Sequence, residues 1–190
     1  MTDAEFCALA LENPVNRAIL DRLPALDLGP AYLTAGCLFQ AVWNRQSGRA
    51  ADDAVKDYDI FYHAAADLSW DAEDAVIRRS EILFADLGVT IEIKNQARVH
   101  LWYRDRFGAD YPPLASCEDG IDRFLICGTC VGIEAASRRL YAPFGLGDIE
   151  AGLLRPNPNN PNTSRFLEKA RSYQARRPHL RAPRQKGHAG

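Results

Sequence analysis

The sequence has no uncharged apolar run near the roughly 18 residues that a membrane span requires, so no transmembrane helix and no membrane partner are expected. Its first residues, Met1-Thr-Asp-Ala-Glu-Phe6, are acidic where a secretory signal is basic, and no signal peptide is expected. There is no internal repeat. Acidic residues stop at Glu168. A second cysteine pair to complete a zinc site is also missing: Cys127-Gly-Thr-Cys130 has the CxxC spacing, but only Cys117 and His100 stand loosely by. The segment continues as Val-Gly-Ile-Glu134, which reads as a strand and not as the helix that a redox CxxC opens. Packed small side chains are the expectation there. Five cysteines, an odd number without a secretory signal, point to a reducing cytoplasm.

What is present is an ordinary globular composition, 47% hydrophobic and 25% charged over 190 residues. A chain of this length buries enough surface to fold without disulfides. The net charge of −2 conceals an asymmetry. Residues 171–190 carry Arg171, Arg176, Arg177, Arg181, Arg184 and Lys186 and no acid, while the first 170 residues are acidic overall. One domain is expected over residues 1–170, followed by a basic, disordered tail over 171–190 that offers an electrostatic route to nucleic acid.

The pattern predicts helices over residues 3–12 and 14–23, a strand over 32–35, and a short helix after Gly36-Cys37. Residues 55–62 alternate as a strand. A helix then runs from about Ser69 to Leu87 and stops at Gly88, and a second alternating strand covers 89–94. A helix from Ser116, a hairpin over 130–142, a short helix over 148–154 and a last helix over 166–175 complete the expectation. The order indicates an α/β or α+β domain around one sheet.

Asp57 and Asp59 carry the chemistry. Two carboxylates at i and i+2 on a strand leave the same face, their Cα atoms about 6.6 Å apart. Oxygen ligands so placed suit hard divalent cations. Glu92, on the polar face of the next strand, supplies a third carboxylate if the two strands are neighbours. Gly36 opens a helix, where a phosphate can approach backbone N–H donors. Lys94 and Arg98 read as anion binders near a negative substrate, or as strand-end ion pairs. Trp43, Trp70 and Trp102 read as core, and His100 as a packed residue.

Several stretches together resemble a small bacterial nucleotidyltransferase-like family of the polymerase-beta-like superfamily. They are Ala35-Gly-Cys-Leu-Phe-Gln-Ala-Val-Trp-Asn44, Lys56-Asp-Tyr-Asp-Ile-Phe-Tyr62 and Glu92-Ile-Lys-Asn-Gln-Ala-Arg-Val-His100. Glu118-Asp-Gly-Ile-Asp-Arg-Phe124, Tyr141-Ala-Pro-Phe-Gly-Leu146 and Arg155-Pro-Asn-Pro158 complete the set. The resemblance implies a short mixed sheet flanked by helices. It implies two magnesium (or manganese) ions on Asp57, Asp59 and Glu92, which would be the catalytic residues, with Gly36, Cys37, Lys94 and Arg98 around a nucleoside triphosphate. The reaction implied moves a nucleoside monophosphate to an unidentified acceptor and releases pyrophosphate. The chain departs from the superfamily at Cys37, where serine is usual, and a thiol is a weak donor. That departure motivates the alternative, a nucleotide-binding or regulatory protein on the same fold that has lost catalysis.

Overall fold

A computed structural model of the chain describes residues 1–160 and 162–183. Helix α1 (Asp3–Ala10) starts from a capping box in which the Thr2 hydroxyl accepts from the Glu5 N–H and the Glu5 carboxylate accepts from the Thr2 N–H. Asn13 caps α2 (Pro14–Arg22), whose first residue is a proline that has no N–H to leave unpaired. Strand β1 (Ala31–Thr34), α3 (Gly36–Gln46), β2 (Asp57–Tyr62), α4 (Trp70–Leu83) and β3 (Thr90–Asn95) follow. Next come α5 (Val99–Phe107), α6 (Cys117–Ile121), β4 (Gly132–Glu134), β5 (Leu140–Tyr141), α7 (Gly147–Glu150) and α8 (Thr163–Arg176).

The five strands form one mixed sheet in the order β3-β2-β1-β4-β5. Only β2 and β3 are parallel. Parallel neighbours need a crossover, and α4 supplies it. Its Ser69 cap and the acids Asp71 and Glu73 in its first turn favour that start. The short sheet flanked by helices is the fold class expected from the sequence.

Alternation sorts the strands into two faces. Leu33, Tyr58, Ile60, Tyr62, Ile93 and Ile133 enter the main core, under α1, α2 and α3. Tyr32 and Phe61 belong to a second, smaller cluster with Ile121 of α6. Asp57 and Asp59 share the face of Phe61. The register pairs Asp59 with Thr34 on one side and with Glu92 on the other.

Three expectations need correction. The boundary at residue 170 falls inside α8, which continues through Arg176. Beyond the helix Arg177 and Leu180 are buried, so residues 171–183 pack onto the domain and are no disordered tail. Arg184 and Lys186, the remaining charges of that expectation, lie outside the described residues. Trp70 is 58% exposed and is not core. The helix α5 stands where the sequence pattern assigned no element.

All five cysteines are free. Cys127 and Cys130 flank a 3-10 turn, and their thiols donate to backbone carbonyls of Pro156 and Ile126. No helix among the described residues is long and apolar enough to cross a membrane.

Candidate active site

A cleft of about 470 Å³ opens between the N-terminus of α3, the polar face of β2 and β3, α5 and α8. That size suits a small organic ligand. The turn into α3 is made by Ala35, whose φ of 61° and ψ of −137° are strained for a residue with a side chain. Gly36 follows at the cleft wall. A Cβ there would stand 2.5 Å from Nε2 of Gln40, so a larger residue would displace that amide.

Asp57 and Asp59 line the cleft together. Burial, and next the charge of Asp57, push the Asp59 carboxyl up to about 6, against a smaller opposing pull from Lys94. A cationic face of α8 lines the same cleft. Arg165, Lys169, Ser172 and Arg176 recur at helical spacing and line the same space. Part of the lining is aromatic, with Trp102, Tyr103 and Phe107 of α5 and with Tyr111. Tyr103 and Tyr111 stack with centroids 4.2 Å apart, and the Arg165 guanidinium lies 4.1 Å from the centroid of Phe107.

A family model described as Nucleotidyltransferase matches residues 21–182. The chain belongs to that family. A structure determined by NMR and described as a CCA-adding enzyme head domain is 22% identical over 96% of both chains, with a TM-score of 0.73. A CCA-adding enzyme in complex with CTP is 13% identical, with a TM-score of 0.56. The alignment covers 95% of this chain and 43% of that longer enzyme. Both likenesses show the fold. No curated protein matches the sequence.

Of its expected site residues, this nucleotidyltransferase brings Gly36, Asp57, Asp59 and Lys94 to the cleft. Glu92 is the register partner of Asp59, yet it stays outside the cleft lining, and its carboxylate is held by the Lys94 ammonium. Among the described residues no three Asp, Glu, His or Cys side chains are gathered closely enough to hold a metal ion. Two carboxylates side by side, one of them resisting ionisation, still form a donor pair that suits magnesium, which commonly takes one or two carboxylates plus substrate phosphates.

Cys37 and Arg98 do not face the cleft. The Cys37 thiol is fully buried, donates to the Thr34 carbonyl at 3.3 Å, and is pushed well above its usual range chiefly by burial. The Arg98 guanidinium is buried against Glu73 and donates to the Leu68 carbonyl at 2.9 Å. It anchors α4 to the end of β3 and is a structural ion pair. Trp43 is core, as expected, but Trp102 is half-buried on the cleft wall.

The residues that sequence reasoning missed are Lys56, Gln40 and the α8 stripe. The stripe had a visible signal, because Arg165, Lys169, Ser172 and Arg176 fall at steps of four, three and four.

Proposed function

We propose that this nucleotidyltransferase moves a nucleoside monophosphate from a nucleoside triphosphate to an acceptor hydroxyl, with magnesium or manganese held by Asp57 and Asp59. The observation that carries the reading is that those two carboxylates and the cations of α8 line one cleft. A nucleoside triphosphate matches that lining, since phosphates suit Gly36 and Lys94 and a base suits the aromatic side chains. The likeness to a CTP-bound CCA-adding enzyme supports a nucleoside triphosphate as donor.

When bound, a divalent cation supplies Lewis-acid polarisation of the phosphoryl oxygens. The chain's own residues position and neutralise. Lys94 and Lys169 meet the charge of the phosphates. The acceptor oxygen bonds to the α-phosphorus, its proton passes to water, and the bond to the β-phosphate bridge breaks. Pyrophosphate leaves with its charge countered by Arg165 and Arg176. Glu92 joins the metal only by giving up Lys94, so it belongs to this reading as a reserve ligand and the aspartates as the principal ones.

The test is calorimetric titration of each nucleoside triphosphate with magnesium, together with pyrophosphate release in the presence of candidate acceptors. The wild type is expected to bind one triphosphate in a metal-dependent way. Asp57→Asn with Asp59→Asn is expected to abolish both signals while circular dichroism stays unchanged. A double variant that still turned over would refute the assignment. Binding without pyrophosphate release would leave a nucleotide-binding protein that has lost catalysis.

A further inference from the structure

We propose that the acceptor is itself a nucleotide, seated on a ladder of rings and guanidiniums formed by Arg123, Tyr111, Tyr103, Phe107 and Arg165. The inference rests on the nucleotidyl-transfer reading above and names the substrate class on its acceptor side.

The ladder follows from the chain. Tyr103 and Phe107 stand four residues apart on α5 and so are neighbours on one face, their ring centroids 4.7 Å apart. Gly108, at φ 70°, ends the helix in the left-handed conformation. The chain returns beyond it, and Tyr111 stacks on Tyr103 with centroids 4.2 Å apart and 28° between the planes. Each end of this three-ring row carries a guanidinium. Arg165 lies 4.1 Å from the Phe107 centroid and Arg123 5.4 Å from that of Tyr111. All five side chains line the cleft.

Core packing does not account for the row. Its rings are half-buried, and they belong to neither cluster of the hydrophobic core. Among the described residues neither Arg123 nor Arg165 has a carboxylate partner. Other arginines do, Arg22 with Asp86, Arg138 with Asp21 and Arg155 with Asp148. The acids nearest Arg123 in sequence are engaged elsewhere. Asp119 accepts from the Ala115 N–H at 2.7 Å, and Asp122 accepts from the Tyr141 hydroxyl at 2.8 Å. A ring face holds a cation in place without neutralising it, so the N–H donors stay available to an anion. Ring faces for a base and guanidiniums for its phosphates make a surface suited to nucleotides. The donor does not use it up. One base covers at most two ring faces, whereas eight aromatic residues line the cleft. Arg165 meets the leaving pyrophosphate and joins the two halves, while Arg123 has no part in the donor. A nucleotide also brings a ribose hydroxyl, whose oxygen forms the bond to the α-phosphorus in the step given above.

The experiment is calorimetric titration in EDTA with the four nucleosides, their monophosphates and short single-stranded homo-oligonucleotides. EDTA removes the metal that the donor needs, so binding there reports the ladder. Wild type is expected to bind at least one monophosphate, and the matching nucleoside about 10- to 100-fold more weakly, the loss of charge-assisted bonds to phosphate. Asp57→Asn with Asp59→Asn is expected to bind that monophosphate at least as tightly. Arg123→Gln is expected to reduce the monophosphate to the affinity of the nucleoside and to leave binding of magnesium and triphosphate unmoved. Arg123→Lys is expected to recover part of the loss. An oligonucleotide that binds more tightly than the monophosphate makes the source a strand end; equal or weaker binding makes it a free nucleotide. With magnesium and triphosphate present, the bound probe is expected to raise pyrophosphate release. Wild type that binds magnesium and a triphosphate but no probe in EDTA overturns the ladder alone. So does Arg123→Gln that binds the monophosphate like wild type, or a bound probe that leaves pyrophosphate release unchanged. Wild type that binds no triphosphate with magnesium overturns the nucleotidyl-transfer reading, and the acceptor role with it.

Discussion

The guanidinium of Arg177 donates to Oδ1 of Asn44 twice, from Nε at 3.0 Å and from Nη2 at 2.7 Å, with both side chains fully buried. Among the described residues no carboxylate pairs with this arginine. Burial, and then the charges of Arg176 and Arg49, bring it down to about 10. The Asn44 amide in turn donates to the carbonyls of Ala51 and Asp53, in the loop that leads to β2. One asparagine therefore ties the end of α8 to the approach to the aspartates.

Asn44→Ala is expected to destabilise the fold by about 3 kcal/mol, since it strands a buried cation and frees the loop. Arg177→Met, which removes the charge and leaves an apolar chain, is expected to cost about half as much. Urea unfolding of the two variants checks the order, and a reversed order would show that the asparagine is not the anchor.

Metal removal should be visible in stability. With magnesium and the preferred triphosphate at about 100 times the Kd, the Tm is expected to rise by about 5–10 °C. EDTA is expected to reverse the rise, and Asp57→Asn with Asp59→Asn to show none. In EDTA, Asp59→Asn alone is expected to raise the Tm by about 1–3 °C by relieving the repulsion from Asp57. Differential scanning fluorimetry reads all four conditions.

Removing the cations of α8 should weaken nucleotide binding without unfolding the helix. Lys169→Ala with Arg176→Ala is expected to raise the Kd about 10- to 100-fold and to flatten its dependence on salt. Titrations at low and high sodium chloride measure both. An unchanged salt dependence would remove α8 from the binding surface.

Glu134 gives the fold an acid-sensitive contact. Burial pushes its carboxyl up, but hydrogen bonds from the Ser137 and Ala136 N–H groups outweigh that, and its pKa is lowered from the ordinary 4.5. A lowered folded pKa means stability that is complete above the unfolded value and lost as pH falls through the folded one. Glu134→Gln is expected to lose more at pH 7 than in acid, so that its stability profile below about pH 5 is flatter than that of the wild type. Denaturation midpoints across that range test the slope.

The elements nearest the chemistry were legible because their signals are local. Residues 57–62 and 90–95 alternate in the sequence, and the strands form there. Gly36 opens α3 as the turn chemistry indicates. The errors come from distance and from reading charge as solvation. Nothing within 20 residues of Arg98 tells that Glu73 will meet it. Arg176 and Arg177 are adjacent in a run of basic residues, yet one lines the cleft and the other is buried on Asn44. Composition averaged them into a tail, whereas the helical period separates them. Glu92 is the register partner of Asp59 because the two strands are neighbours, a condition the sequence left open, and its tie to Lys94, two residues on, needed side-chain positions.

β2 is hydrogen-bonded on both edges, so its spatial frame is fixed by two neighbours at once. Deleting Ile60 with Phe61 and Tyr62 held in place would rotate the preceding residues by one. Asp57 and Asp59 would then be driven into the core while Tyr58 replaced them at the cleft. Natural length variation should therefore stop at the ends of this strand. A library of single-codon deletions across residues 57–62 should be depleted far more severely than one of substitutions at the same sites.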